Sequence, residues 1–433
     1  MGIMQLIIHR GTRQIGGSCV ELRSGDTRIL LDIGMPLSLG DDDAPGNGDS
    51  IDELLQRGVL PAIDGAYRGH EPGIQAVILS HAHQDHMGLA CYVHESIPVY
   101  ATCGTWALHE SLAIFLPQFV SIQNQRAMRV GKPVRIGPFS ITAHLVDHSA
   151  PDAVALEVQA DGHRLLYSGD IRSHGRKAWL WDKLVDRLGG KVDTLVMEGT
   201  TIGRPEGSVK TEDDLEEEFV ESMRSQRHLA AVFCSSHNLD RIVTIYRAAL
   251  RTQKMMVIDL YTALVLMRLA RISRRIPQFD SDNMRIAPWG YHQDRLQSAG
   301  MMDFLEHTAS RWTTWREMNA APSNVVLLAR SNRYTPAWLE ESCGGDIRHM
   351  TFVWSMWDGY WKDDKHIRPL CERYGVQPVH LHTSGHCTWS DIQRFVAGLR
   401  PGRIVPIHTE HAEHFAQHLP GVTLLQDGEA LDL

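Results

Sequence analysis

At 433 residues the chain exceeds one ordinary core, which excludes a single small domain and predicts two domains or one domain with a large insertion. Its hydrophobic and charged fractions, 43% and 22%, are those of a soluble globular protein, and no apolar run approaches the roughly 18 residues that span a membrane. The formal net charge of -9 excludes a general attraction to nucleic acid, so a polyanionic substrate would need a local basic groove or bound cations.

The first residues, Met1-Gly-Ile-Met-Gln-Leu-Ile-Ile-His9, run into charged residues without a cleavable apolar core, and they read as a first strand. Seven cysteines (Cys19, Cys91, Cys103, Cys234, Cys343, Cys371, Cys387) are scattered and never spaced as CxxC. They are expected to be free thiols of a cytoplasmic protein and not a thiolate zinc site. Residues 5–33 alternate apolar positions around turns at 11–17 and 24–26, which predicts consecutive short strands. No helix pattern follows the glycines of the first turn, so they are not a dinucleotide fingerprint. From Pro36 to Gly73 the chain is loop-rich, and Asp41 to Asp43 read as a solvated acidic loop.

Ile74-Gln-Ala-Val-Ile-Leu-Ser80 is an apolar run behind Gly73 and predicts a buried strand. It delivers His81-Ala-His-Gln-Asp-His86, three imidazoles and a carboxylate in one small volume. Such a set suits zinc, and its carboxylate suits manganese as well; the bland reading is a polar loop rich in histidine. A helix is expected on the Gly88 side and a strand near Val99. The same arrangement then recurs. His148 follows the run Phe139-Ser-Ile-Thr-Ala-His-Leu-Val146, where a lone histidine is more often a structural one. Asp170 ends Arg164-Leu-Leu-Tyr-Ser-Gly-Asp170, where Asp after Gly is also ordinary turn chemistry. Glu198 follows Val192-Asp-Thr-Leu-Val-Met197, and His408 ends Arg403-Ile-Val-Pro-Ile-His408. Five strands that each end in His, Asp or Glu form a pattern that chance explains poorly.

Between Asp170 and His408 lies a further α/β pattern. An acidic helix starts at Thr211, its carboxylates favouring the N-terminal end of the helix dipole. A buried-type strand, Leu229-Ala-Ala-Val-Phe-Cys-Ser-Ser236, leads into a helix with apolar residues at Ile242, Ile245, Tyr246, Ala249 and Leu250. Ser235, Ser236, His237, Asn238 and Arg241 stand at that strand-to-helix junction, where free backbone N–H groups favour an anion, or simply cap the helix. Met255 to Asp259 with Ala263 to Ile272 forms a second strand–helix unit, and Asn324 to Ala329 a third strand. Arg268, Arg271, Arg274 and Arg275 either line a nucleic-acid channel or form a solvated helix end. Phe352, Trp354, Trp357, Tyr360 and Trp361 either stack bases or pack a joint between domains. Thr388-x-x-Asp391 predicts a capping box for a late helix.

The segments HAHQDH, DHSAPDA, YSGD and a distant PIH, in that order, resemble the ligand set of the metallo-β-lactamase superfamily. MEGT around Glu198, HTSGH at His382 to His386 and PIHTE at His408 resemble the β-CASP nucleases, and most of all bacterial RNase J and its relatives. The resemblance implies an α/β fold, a metallo-β-lactamase αββα sandwich with an inserted α/β β-CASP domain. Residues 1–205 and 360–433 would form the sandwich and residues 206–359 the insert. It implies two divalent ions, zinc first and manganese second: His81, His83 and His148 at one, Asp85, His86 and His408 at the other, and Asp170 between them. Asp85, Glu198 and His386 would be catalytic, with His386 a general acid oriented by Glu198. Ser235, Ser236, Asn238, Arg241, His382, Ser384 and Gly385 would grip substrate phosphate. The implied activity is ribonuclease, hydrolysing RNA phosphodiester bonds with a hydroxide that two metals activate, as a 5′ exonuclease, an endonuclease or both. His408 favours RNA over DNA, because the Artemis group of DNA nucleases tends to carry valine there.

Three departures stand beside the resemblance. Thr409 replaces the glycine of the usual HGE, Ala329-Arg-Ser-Asn-Arg-Tyr-Thr-Pro336 is unlike the family's GSQGEP loop, and Leu433 closes the chain without RNase J's C-terminal domain. A homodimer is therefore an open expectation, and no membrane partner is expected. The competing readings are a DNA nuclease, a small-molecule metallohydrolase and a non-catalytic β-CASP subunit.

Overall fold

Runs of apolar residues at period two build two facing sheets. In the first sheet β1 (Gln5–Arg10), β2 (Cys19–Ser24), β3 (Thr27–Leu31), β4 (Ala76–Ile78), β5 (Val99–Thr102) and β6 (Gln125–Met128) join the last strand of the chain, β19 (Ala430–Asp432), in the order β19-β1-β2-β3-β4-β5-β6. The second contains β7 (Pro133–Ile136), β8 (Phe139–Leu145), β9 (Val154–Ala160), β10 (His163–Tyr167), β11 (Thr194–Glu198) and β18 (Arg403–Ile407), in the order β18-β11-β10-β9-β8-β7. The computed structural model describes residues 2–39, 45, 48–116, 122–204 and 209–433, so the acidic stretch Asp41 to Asp43 lies outside the described residues.

Alternation decides what each face meets. Leu6 and Ile8, Val20 and Leu22, and Ile29 and Leu31 point inward from the first sheet onto Ile141, Ala143, Leu156, Val158 and Leu165 of the second. The residues between them on the second sheet, such as Leu166, Leu195 and Met197, face outward. They are covered by Trp181 and Leu184 of the helix Trp179–Leu188 and by Ile392, Phe395 and Leu399 of the helix Trp389–Leu399. That second helix starts in the expected Thr388/Asp391 capping box. The helix Cys103–Phe115 packs on β5 and β6, completing an α-β-β-α sandwich. Two details of strand direction matter for function. β3, β4 and β5 run parallel, and so do β10, β11 and β18, so the C-terminal ends of each group lie at one edge of its sheet.

The chain divides into two compact units, Met1–Ser208 with Gly385–Leu433, and Val209–Ser384. The second unit is a parallel sheet of β12 (Ala230–Phe233), β13 (Met255–Asp259), β14 (Met284–Ala287), β15 (Val325–Ala329), β16 (Thr351–Trp354) and β17 (Val379–His380), ordered β14-β13-β15-β12-β16-β17. Its exit corrects the expected boundary at 359. The helix Ile367–Tyr374 buries Ile367, Leu370 and Cys371 in the same core as Phe233, Leu327 and Phe352, and Val379 pairs with Val353 on β16. The insert therefore continues to Ser384, because its sheet is not covered or complete before then. Its expected start, between 205 and 206, lies outside the described residues. Among the described residues no helix is long and apolar enough to cross a membrane.

Candidate metal centre

The strand ends of the first unit bring the expected ligands together. His81, His83, Asp85 and His86 follow β4, in a turn leading into the short helix Gln84–Met87. His148 follows β8, Asp170 follows β10, Glu198 ends β11 and His408 follows β18. Backbone hydrogen bonds lock the histidine turn to the loop after β3: Ile33 N donates to His86 O (2.8 Å) and Met35 N to Gln84 O (2.8 Å). Gly34 sits between these two bonds, where a Cβ would fall 1.8 Å from the Asp85 carbonyl oxygen, so any side chain there would push the ligand turn away.

The candidate ligand atoms converge in three overlapping groups that all contain Asp170; the third joins it to Glu198, His386 and His408, and the other two are the expected sets. His81, His83, His148 and Asp170 form one, and Asp85, His86, Asp170 and His408 the other, with the atoms of each set within 4.8 Å of one another. The rings of His81, His83 and His148 stand at the corners of a nearly equilateral triangle, with centroid separations of 4.8, 4.7 and 4.8 Å. His86 and His408 lie 4.9 Å apart. His81 Nε2, His86 Nε2 and both oxygens of Asp170 are buried without a well-formed hydrogen bond among the described residues, although His86 Nε2 stands 3.0 Å from Asp170 Oδ1. Buried polar atoms of this kind are nearly always satisfied, so four orphans aimed at one point fit cations.

The outer nitrogens point to the same conclusion. His148 Nδ1 lies 2.7 Å from the Gly385 carbonyl, which can only accept, so the proton is on Nδ1 and Nε2 faces inward, 3.1 Å from His83 Nδ1. His86 Nδ1 donates to Asp32 Oδ2 (2.7 Å). Ser80 Oγ donates to the same oxygen (2.6 Å) and is therefore an acceptor for His81 Nδ1 at 3.0 Å. Thr200 Oγ1 donates to Glu198 (2.6 Å) and accepts from His408 Nδ1 (2.8 Å). Four imidazoles thus have Nδ1–H engaged outward and Nε2 directed inward, the arrangement in which the groups behind metal-ligating histidines orient them.

Electrostatics agree. Burial, and then neighbouring imidazoles, hold His81 and His148 well below the ordinary histidine value, keeping them neutral as ligands must be. Burial would raise Asp170, yet His86, His408 and His386 hold it well below the usual carboxylate range. His86 is the exception: burial lowers its affinity for a proton, but Asp170 and Asp32 together raise it well above the ordinary value. A second proton on that ring would sit where a cation belongs.

Asp32 and Thr200 were not among the residues singled out from the sequence. Asp32 ends the run Thr27–Leu31, the same strand-then-carboxylate signal that marked Asp170, and that signal could have found it. It is fully buried, adopts φ 59°, and also accepts from Ser80 N (2.6 Å) and the Tyr167 hydroxyl (2.8 Å). A non-glycine residue at such φ is costly unless its surroundings impose it; His408, at φ 53°, is another. Asp32→Ala is expected to weaken zinc affinity about 10- to 100-fold, measured by competition with a chromogenic chelator. An unchanged affinity would remove His86 from the ligand set.

His386, in the loop before the helix Trp389–Leu399, places Nδ1 3.1 and 3.2 Å from the two oxygens of Glu198. Glu198 is itself buried and accepts from Ile171 N (3.0 Å) and Thr200 N (3.2 Å). Burial acts against a charged imidazole here, but Glu198 and Asp170 outweigh it and raise His386 to about 9.

The expected phosphate contacts fare less evenly. Arg241 is fully buried in the second unit. Its guanidinium pairs with Glu212 (3.2 Å) and donates to the carbonyls of Ser355 (3.1 Å) and Leu381 (3.1 Å), which makes it a structural tie and not a surface anion contact. Asn238 accepts from Arg241 N (3.0 Å) as the cap of the helix Leu239–Arg251, the bland reading of that junction. Ser236 is buried against Thr262 (2.8 Å) and Arg330 (2.8 Å), whereas Ser235 is exposed. The Gly385 carbonyl orients His148, so its backbone has a task other than phosphate binding. His382 and Ser384 are half-buried at the end of the second unit. Phe352 and Trp354 are buried in the core of that unit, whereas Trp357 and Tyr360 are exposed. Arg271, Arg274 and Arg275 are exposed beyond the C-terminus of the helix Leu260–Leu269, which starts at the C-terminal end of β13 and leads away from it.

Comparison with known proteins adds independent findings. Residues 45–229 match a family described as the beta-lactamase superfamily domain, and residues 375–421 one described as the Zn-dependent metallo-hydrolase RNA specificity domain. The chain is similar to Ribonuclease J of Mycobacterium tuberculosis (25% identity, covering 77% of this chain and 58% of that protein). It is also similar to Ribonuclease J of Sinorhizobium meliloti (24%, 83% and 63%) and to Ribonuclease TTHA0252 of Thermus thermophilus (26%, 76% and 73%). The chain thus spans about three-fifths of the length of the two Ribonuclease J proteins. A crystal structure of a protein of unknown function from Enterococcus faecalis V583 shares the fold over 100% of both chains, with a TM-score of 0.74 at 19% identity.

Proposed function

We propose that this chain, a member of the metallo-β-lactamase superfamily with ribonuclease J-type relatives, is a metal-dependent ribonuclease. The observation that carries the reading is the pair of ligand sets sharing Asp170, with a histidine–carboxylate pair beside them. His81, His83, His148 and Asp170 would hold one divalent ion, and Asp85, His86, Asp170 and His408 the other. Imidazoles with carboxylates favour zinc, with manganese the alternative. Such a pair supplies charge neutralisation at phosphodiester oxygens and lowers the pKa of water. The chain's own residues do the rest. Asp32, Thr200, Ser80 and the Gly385 carbonyl keep the ligand nitrogens aimed inward. His386, its Nδ1 held by Glu198, is placed to give a proton to the departing sugar oxygen. Ser235, His382 and Ser384 remain the proposed contacts to substrate phosphate, whereas Ser236, like Arg241, is buried and engaged within the second unit.

RNA is favoured over DNA by the histidine at 408 and by what the relatives are called. The test is incubation of the purified protein with 5′-monophosphorylated RNA and with DNA of the same sequence, before and after chelation, with zinc or manganese restored. RNA is expected to shorten only in the presence of metal, and DNA to stay intact. Cleavage of DNA at an equal or greater rate would replace the ribonuclease by a DNA nuclease. A metal-loaded chain that cuts neither is no nuclease. Product lengths from end-labelled RNA then separate 5′ exonuclease from endonuclease action.

A further inference from the structure

Five aromatic side chains are exposed among the described residues, and four of them belong to one edge of one sheet. Tyr291 follows β14, Tyr334 follows β15, and Trp357 and Tyr360 follow β16, with exposures of 49, 56, 44 and 55%. All three strands are parallel, so these residues line the C-terminal edge of the second unit's sheet, the side where α/β sheets carry their ligands. Scattered surface aromatics need no explanation, but a stripe confined to one edge does. Strand spacing of about 4.8 Å makes the distance from β14 to β16, four strands along, about 19 Å.

The chemistry along the stripe is that of a single-stranded nucleic acid. Tyr291 and Tyr334 stand with ring centroids 6.4 Å apart and planes only 28° from parallel, and both side chains are exposed. Arg333 lies over the Tyr334 ring at 4.7 Å, and Arg330 over Tyr261 at 4.9 Å. Three carboxylates beside these segments are engaged: Asp259 by Arg330 and Thr262, Asp364 by Ser331 and the backbone N–H groups of Ile367 and Arg368, and Asp358 by His380. Arg330, Arg333 and Tyr334 all lie in the segment Ala329–Pro336, which departs from the glycine-rich loop of the relatives by sequence alone.

We propose that Tyr291 and Tyr334 form a base-stacking platform for single-stranded RNA on the second unit, with the exposed Arg333 beside it for the phosphates. The platform rests on the ribonuclease reading, and it gives the second unit a role in holding the polymer. Stacking is tolerant of sequence because every base has a π-face, so the platform grips RNA without selecting a motif.

The test is binding of a short oligoribonucleotide, protected from hydrolysis by 2′-O-methyl sugars, to the metal-loaded full chain, followed by fluorescence anisotropy. The double variant Tyr291→Ala/Tyr334→Ala is expected to raise Kd at least about tenfold. Tyr291→Phe/Tyr334→Phe keeps the ring faces and is expected to bind like the wild type. Hydrolysis of bis(p-nitrophenyl) phosphate, which has no base chain to stack, should be the same in all three. Equal Kd for the wild type and the alanine variant, in a wild type that cleaves RNA, overturns the platform and leaves the ribonuclease standing. A wild type that neither binds nor cleaves RNA overturns the ribonuclease reading itself. A variant that changes only self-association turns the edge into an interface between copies and also overturns the platform.

Discussion

Replacing Asp170 by alanine is expected to abolish tight binding of both ions and to lower RNA cleavage by at least about 10³-fold, since metal stabilisation of a phosphoryl transition state is worth several kcal/mol and each 1.36 kcal/mol is tenfold. The prediction follows from its place in both ligand sets, where it is the one carboxylate they share. Loss of a ligand that serves a single site would leave the other set of atoms complete. The variant should nevertheless fold. Removing its two buried oxygens takes away a charge whose burial is costly, at the expense of the 3.0 Å pair with His86 Nε2. Thermal unfolding separates the two effects: the difference between the two metal-free proteins reads the loss of the pair with His86, while added zinc should stabilise the wild type alone. Two ions retained by Asp170→Ala would refute the shared site.

His386→Ala should behave in the opposite way. Metal content is expected to stay at the wild-type value while kcat falls about 10²- to 10⁴-fold, the usual contribution of a positioned acid. The reasoning is geometric: His386 Nδ1 faces both oxygens of Glu198 at 3.1 and 3.2 Å, but stands 3.8 Å from Asp170. His386 does, however, also fall within a group of ligand atoms formed by Asp170, Glu198 and His408. Measured loss of one ion from His386→Ala would therefore move this histidine from acid to ligand. A substrate with a leaving group that needs no proton offers an independent check. The defect should shrink on such a substrate if His386 supplies the proton, and persist if it holds metal.

Most of the metal centre could be read in the sequence, because its signals are local. A strand that ends in His or Asp projects that side chain beyond the edge of the sheet, and His81, His83, Asp85 and His86 lie within six residues. The order of the later ligands then matched the resemblance, and the structure brings all seven into the two expected sets. The misses have a common cause. Arg241 and Asn238 lie at a strand-to-helix junction that suits an anion or a cap, and only the packing of Glu212 and Ser355 against Arg241 decides between them. Asp32 carried the right local signal, but its partners, Ser80, His86 and Tyr167, come from three other segments.

By itself, then, the sequence determined several alternating strands, the strand–helix units of the insert and the order of the candidate ligands, since period, strand ends and residue chemistry are properties of short stretches. Only the tertiary structure decided which nitrogen of each histidine turns inward, that Gly385 and Thr200 hold two of them, where the second unit ends, and that its exposed aromatics share one edge. These depend on which distant segments meet. A hydrogen bond between residues 237 positions apart, as from His148 to Gly385, is set by packing and leaves no mark on either stretch alone.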